Sequence, residues 1–498
     1  MNKYLYIENT PTWLIRVVHA LGLLSWVLVL YGFSGLFTFD PFFQWVMAPI
    51  LVIFTVQYIL SYGTAMFYRQ FDTKRHEALV RTYTATPAVD IFLPVCGEPI
   101  EMLRRSWIAV LKLHYKNREI YVLDDKGDPT IQQLCRYMGF NYLSRPNKGW
   151  MRKAGNLQYG YEHSNGEYIV VFDADFSPHP SFLDNLLPYF NDPRTAIVQS
   201  PQYFNMQSRG LQYAAALIQE PFYRYIQSAR ERFNGTICCG ANAIYRRKAL
   251  KLLNGAATID HSEDLLTGFT LQSMGYRVRF IPLLLSEGEC PDNLHNFFHQ
   301  QHRWCMGSMA LLTSRLFWTS SLSWWTKLCY INGFLYYLQF PLTLIMSFQL
   351  FWTLIIYNEY ITLTNGILFY PYLLWSFFMM TLFPIHPFRP RVFIAQIMQL
   401  YACSHAILSA FFKKNVGWVV SGAEVAKISA SYLQAHAIVG TYLILYSLCI
   451  MLSVLTFSLH PFNIQYYSVQ FWIFYNFALS LMLFWAMGRE KVGTIINQ

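Results

Sequence analysis

Charge is scarce in this sequence. Only 13% of its 498 residues are Asp, Glu, Lys or Arg, against 54% apolar. That balance does not suit a wholly soluble chain and does suit a catalytic domain joined to several membrane spans. Acids are rarer than bases, 28 against 38, leaving a net charge of +10. The nine cysteines form no CxxC pair and no metal-type spacing, which argues against a zinc module or a disulfide framework. The adjacent Cys238 and Cys239 do not suit a structural disulfide, so reduced thiols are expected, cytosolic or membrane-buried. Internal repeats and low-complexity segments are lacking. No cleavable signal peptide is expected, because the first apolar run is too long and has no small-residue cleavage site. Charged residues are almost absent from the apolar runs, which argues against an ion or proton relay.

What is present begins with those runs. Crossing a bilayer takes about 20 apolar residues. Six runs qualify: Trp13–Phe37, Phe43–Tyr68, Cys329–Tyr357, Gly366–Phe383, His436–Phe457 and Tyr466–Met487. Pro341 within the third allows a kink or a split. The links Thr38–Pro41, Asn358–Asn365 and Ser458–Gln465 carry no Lys or Arg. Lys3, Arg16, Arg69, Lys74, Arg75, Arg389, Arg391, Lys413, Lys414, Lys427, Arg489 and Lys491 fall on the other side. The positive-inside rule then places both termini and the middle region in the cytosol of a multi-pass plasma-membrane protein. The basic excess follows this topology, so no nucleic-acid partner is expected. The run Arg391–Phe412 contains Gln396, Gln399, Ser404 and His405 and precedes Lys413-Lys414. It reads as an amphipathic helix on the inner membrane surface, with a seventh span as the alternative.

The polar middle alternates strand-like runs (Val89–Val95, Glu119–Leu123, Tyr168–Phe172, Ala196–Gln199) with helix-like ones (Glu101–Leu113, Ile131–Met138, Ala154–Glu162, Pro180–Tyr189). An open, mostly parallel α/β sheet with helices on both faces follows, with ligands at the carboxyl ends of its strands.

Several short motifs end these elements. Asp173-Ala174-Asp175 closes a buried strand, where two carboxylates can hold a divalent metal against a diphosphate; alone, such a triplet is usually a solvated turn. Asp124-Asp125 also ends a strand, as a turn or as a contact to a nucleobase or ribose. Lys153-Ala154-Gly155-Asn156 starts a helix; Lys153 can reach a phosphate, and Gly155 permits close backbone approach. Ser262-Glu263-Asp264 is either an N-terminal helix cluster or the seat of a general base. Gln300-Gln301-His302-Arg303-Trp304 is either an interfacial anchor or a pairing of a diphosphate-binding Arg with a flat apolar face for a sugar ring.

In this order and flanked by spans, these motifs resemble the membrane-integrated processive glycosyltransferases of family 2, which include cellulose, chitin and hyaluronan synthases. Lys153-Ala-Gly-Asn-Leu157, Gln199-Ser-Pro-Gln202, Cys238-Cys239-Gly240-Ala241 and, loosely, Gly417–Gly422 are similar to the cellulose synthase branch. The resemblance covers nearly the whole chain, most closely Asp90–Leu312. The compact form resembles single-component bacterial β-glucan and capsule synthases.

The resemblance implies a GT-A, Rossmann-like catalytic domain at 69–292. It would lie between an N-terminal membrane hairpin (1–68), an interfacial region (293–325) and a channel region (326–498). It implies Asp264 as base, supported by Glu263. Glu98, Asp124, Asp125, Lys153, Asp173, Gln300 and Arg303 would contact the donor nucleotide and diphosphate. Asp173 and Asp175 would hold Mg²⁺ or Mn²⁺, and Cys239, Gly240 and Trp304 would meet the acceptor. Trp418 and Ser421 would belong to a gating loop at 417–423. The implied partners are a UDP-sugar, a growing polysaccharide and the lipid bilayer. The implied activity is polymerisation of UDP-glucose into an exported β-glucan. A non-processive glycolipid-forming transferase and a UDP-N-acetylglucosamine synthase are the alternatives. Val95-Cys96-Gly97-Glu98 lacks the aromatic usual in this segment, which puts base stacking in doubt. Little sequence follows the last apolar run, so no appended cyclic-di-GMP-binding domain is expected.

Overall fold

The computed structural model of the protein describes residues 11–496 except 39, 205–209, 258, 260–261, 357–365, 382–383, 385, 413–427 and 460–466. Among the described residues the strands are β1 Val89–Val95, β2 Arg118–Asp124, β3 Asn141–Leu143, β4 Tyr168–Val171, β5 Phe176–Pro178, β6 Thr195–Gln199, β7 Tyr203–Phe204, β8 Ala243–Arg246, β9 Arg277–Phe280 and β10 Ser286–Gly288. Seven of them form one sheet in the order β3-β2-β1-β4-β8-β6-β9. β1 through β4 pair in parallel, as do β6 and β9; β8 is antiparallel to both neighbours. The remaining three build a small sheet, β5-β10-β7.

The four strand-like runs all form strands, because runs of Val, Ile and aromatic residues bury both faces of a central sheet. One face packs Ile91, Leu93, Trp107, Val170, Phe172 and Phe182; the other packs Phe92, Leu123, Leu157, Ile169, Val171 and Tyr245. Asp90 is the exception inside β1. It is buried and neutralised by Arg247 at 2.8 Å, and it accepts a hydrogen bond from Gly166 N. The helix-like runs form helices at Ile100–Leu111, Pro129–Met138 and Arg152–Glu162. The fourth, Pro180–Tyr189, splits into an α-helix Phe182–Leu186 and a 3₁₀ turn Leu187–Asn191, where Pro188 removes a helical donor. Strand β8 and its antiparallel pairing escape periodicity, since four residues carry little pattern.

Among the described residues, five helices are long and apolar enough to cross a membrane: Thr12–Phe33, Phe43–Met66, Trp324–Ser347, Arg391–Phe411 and Ala430–Leu452. The helix begun at Trp324 runs unbroken through Pro341 to Ile356, so the third run is one helix. Within the fourth run the helix Tyr370–Thr381 has 12 residues, and residues 382–383, which end that run, lie outside the described residues; the sixth run falls on the helix Tyr467–Ile496. Arg391–Phe411 qualifies as a span by composition, yet it is buried around most of its circumference, including Gln399, Ser404 and His405. It is wedged against the helices Leu211–Pro221, Leu294–Thr313 and Trp324–Ile356, so protein rather than lipid covers its polar residues.

Candidate active site

The carboxyl ends of β1, β2 and β4 open onto one cleft. After β1 the chain turns at Gly97 (φ +95°), and Glu98 Oε2 accepts from Cys96 N at 2.6 Å. Desolvation in the cleft pushes the Glu98 carboxyl up to about 6, opposed by the Cys96 and Glu98 amides.

The two aspartates after β2 differ. Asp124 is buried, and both its oxygens are used by its own turn: Lys126 N at 2.9 Å, Asp128 N at 2.6 Å and Tyr142 OH at 2.9 Å. Asp125 Oδ1 takes Arg145 Nε at 2.5 Å and Gly149 N at 3.0 Å, while among the described residues Oδ2 accepts no hydrogen bond. Asp125 is therefore the better placed of the pair for a ligand. Arg145, not singled out from the sequence, is 1% exposed and also donates to the Trp150 and Arg152 carbonyls. Its only sequence signal is a cation just after β3. Gly155 differs from its expected use. A Cβ there would meet the Trp150 carbonyl at 2.2 Å and Arg145 at 2.3 Å, so the glycine makes room for this turn, not for a ligand.

Past β4, Lys153 Nζ lies 2.5 Å from Asp173 Oδ1 and 3.9 Å from Glu263 Oε1, tying the DxD triplet to the acidic triplet 90 residues later in the chain. Desolvation, then the charge of Asp173, pushes Asp175 up to about 7. Among the described residues no group of three or more His, Cys, Asp and Glu is disposed to hold a metal ion.

Glu263 and Asp264 open the helix Glu263–Ser273. Asp264 Oδ1 accepts from Leu265 N at 2.8 Å, and its Oδ2 lies 2.8 Å from where a Cβ on Gly240 would stand. Gly240 has φ +79°, so both space and backbone demand glycine there. Desolvation, then Glu263, pushes Asp264 up to about 7, with Lys153 pulling the other way. The 237–240 loop is held by glutamines. Gln199 bonds Ile237 O at 2.7 Å and Cys239 N at 3.1 Å; Gln227 bonds Ile237 O at 2.6 Å and Ile237 N at 3.0 Å; Gln202 bonds Cys239 O at 2.9 Å. Gln227 has no motif to announce it.

The helix Leu294–Thr313 carries Gln300, Arg303 and Trp304, of which Arg303 feels the charges of Asp173, Glu263 and Asp175 in the cleft. Desolvation lowers the Arg303 guanidinium; Asp173 and Glu263 are the acids that oppose this most. The structure thus gathers Glu98, Lys153, Asp173, Asp175, Glu263, Asp264 and Arg303 around one cleft, with Asp125 on its wall. Trp418 and Ser421 lie outside the described residues.

Residues 90–253 match the profile of Glycosyl transferase family 2. The central domain belongs to this family. The family 2 domain is cellulose synthase-like. A 260-residue stretch of the chain is 30% identical to the cellulose synthase catalytic subunit [UDP-forming] of Pseudomonas fluorescens (strain SBW25), covering 50% of this chain and 35% of that protein. A 325-residue stretch is 27% identical to cellulose synthase 1 of Komagataeibacter xylinus, covering 63% of this chain and 21% of that protein. The chain thus spans about a third or less of the length of these relatives. A mannosyltransferase of Pyrobaculum calidifontis (PcManGT), solved with GDP-Man and Mn2+, superposes with a TM-score of 0.52 at 15% identity, covering 74% of this chain and 100% of that one. That likeness is one of fold, the GT-A arrangement expected from the sequence.

Proposed function

We propose that the protein is a processive, inverting β-glycosyltransferase that polymerises glucose from UDP-glucose at the cytosolic face of a membrane and passes the β-glucan out between its apolar helices. The observation that carries this reading is the convergence of Asp264 and Arg303 with the Lys153–Asp173–Glu263 cluster. Inversion in one displacement needs a base at the acceptor, charge stabilisation at the leaving diphosphate, and orientation of both. Asp264, held against Gly240, takes the proton from the acceptor hydroxyl as that oxygen attacks the anomeric carbon. Arg303 and Lys153 stabilise the departing UDP, while Asp125 contacts the uridine and Trp304 offers its ring to the acceptor sugar. An α-linked donor then gives a β-linkage.

The donor set suits Mg²⁺ or Mn²⁺. Asp173 and Asp175 offer hard oxygens, and both desolvation and the neighbouring Asp173 charge, which push Asp175 up to about 7, are penalties that a cation would relieve. Asp173 and Asp175 would hold the ion at the carboxyl end of β4. The ion would neutralise the leaving diphosphate. The cytosolic orientation rests on the Lys and Arg asymmetry of the short links.

Purified protein in proteoliposomes, given UDP-glucose and Mg²⁺ or Mn²⁺, should make high-mass β-glucan. Free glucose alone, or a lipid carrying a single sugar, would refute processive polymerisation; polymer only from UDP-N-acetylglucosamine would refute the sugar.

A further inference from the structure

The turn that precedes Lys153 is strained in a way the motif does not require. Met151 and Arg152 both have left-handed φ, 48° and 47°. Two successive non-glycine residues in that region are strained, so something must hold them. Arg145 does: anchored to Asp125 at 2.5 Å, it donates to the Trp150 carbonyl and, at 3.1 Å, to the Arg152 carbonyl. The consequence is local. Lys153 is delivered to Asp173 and Glu263, and Arg152 is delivered to the same cleft one residue earlier.

Arg152 is not neutralised there. Its Nη1 is buried without a hydrogen-bond partner, and among the described residues no carboxylate forms an ion pair with it. The Lys153 ammonium beside it is engaged by two acids; the guanidinium is not. A buried guanidinium donor left unsatisfied is costly, and beside a cleft built for an anion a ligand oxygen would satisfy it. The charge of Arg152 also bears on Arg303 across the cleft, disfavouring its charged form. Two guanidinium groups that feel one another, one with an idle donor, fit an anion bearing several oxygens.

We propose that Arg152 is a second guanidinium of the donor site, binding phosphate oxygens of the nucleoside diphosphate alongside Arg303. This rests on the donor reading above, and adds a residue that none of the motifs names. Arg152 grips the diphosphate from the start of the Arg152–Glu162 helix while Arg303 grips it from the Leu294–Thr313 helix. Its left-handed backbone aims the side chain, and the Asp125–Arg145 pair holds that backbone. Uridine recognition and diphosphate recognition are thereby built on one rigid unit.

The test is UDP binding to the full-length detergent-solubilised protein by calorimetry, with unfolding temperature measured in parallel. Arg152→Gln and Arg152→Gly remove the guanidinium in opposite structural senses, since glycine is at ease at φ +47°. Both should weaken UDP at least about tenfold, the scale of a lost charge-assisted hydrogen bond, with the unfolding temperature of Arg152→Gly no lower than wild type. Wild-type UDP affinity in either variant overturns the proposal. So does a loss seen only in Arg152→Gln together with a fall in its unfolding temperature, which would assign Arg152 to the turn alone. Arg303→Gln separates the two claims. If it weakens UDP while the Arg152 variants do not, only this inference fails; if the wild-type protein binds no UDP, both fail.

Discussion

Ser262 occupies the space that a side chain on Gly307 would need: a Cβ built on Gly307 would lie 1.8 Å from Ser262 Oγ and 2.4 Å from its Cβ. Gly307 stands one turn beyond Arg303 on the Leu294–Thr313 helix, and Ser262, with φ +55°, immediately precedes Glu263 and Asp264. A notch on the helix that carries the Arg-Trp pair thus seats the residue that starts the acidic helix. The two halves of the cleft are registered by steric fit.

This seating makes a reciprocal prediction. Gly307→Ala should push Ser262 back and displace Asp264, cutting the transfer rate by about 100-fold if the shift approaches 1 Å, with UDP affinity little changed. Adding Ser262→Gly, which vacates the space and suits the left-handed φ, should restore a large part of the rate. A double variant no better than Gly307→Ala would show that the contact does not position the acid.

The base assignment predicts a separable defect. Asp264→Asn should lower polymer synthesis by about 100- to 10,000-fold, the range for removing a general base, and leave UDP binding near wild type. Substantial polymer from this variant would remove Asp264 from the role.

The pH profile follows from the same group. Cleft desolvation and Glu263 push the Asp264 carboxyl up to about 7, so it is protonated, and useless as a base, below that pH. The turnover rate should fall about tenfold per pH unit on the acid side and level off above about 7. Glu263→Gln removes a neighbouring negative charge and should move the inflection to lower pH. An inflection unmoved by that change would break the link to Asp264.

Gly240 should tolerate nothing larger. Gly240→Ala places a Cβ 2.8 Å from Asp264 Oδ2 in a backbone region at φ +79°, so loss of activity is expected with a modest fall in unfolding temperature. Full activity in Gly240→Ala would mean that the loop and Asp264 are farther apart in the working enzyme.

Arg145 tests the wall of the cleft. It and Asp125 are 1% and 6% exposed and 2.5 Å apart. Arg145→Met leaves a buried carboxylate uncompensated and should cost about 3–5 kcal/mol of stability, read by chemical denaturation. Arg145→Met with Asp125→Asn should recover much of it. A single variant as stable as wild type would show that the ion pair does not hold the turn.

The sequence by itself determined the local elements and the chemical inventory. Buried strands announce themselves as short Val, Ile and aromatic runs, and long apolar helices by their length; each of these signals is local and additive. The order of the acidic and Arg-Trp motifs also lay open, and with it the family. Tertiary structure alone decided the rest. It set β8 antiparallel in the sheet, gave Asp124 to its own turn and turned Asp125 to the wall, and used Gly155 for packing. It brought Arg145, Arg152, Gln227 and Gly307 into the site although none belongs to a recognised residue pattern. The reason is physical: these roles depend on contacts between segments that meet only when the sheet and helices pack. Whether a carboxylate or guanidinium is spent or idle depends on which partners packing brings within hydrogen-bond range.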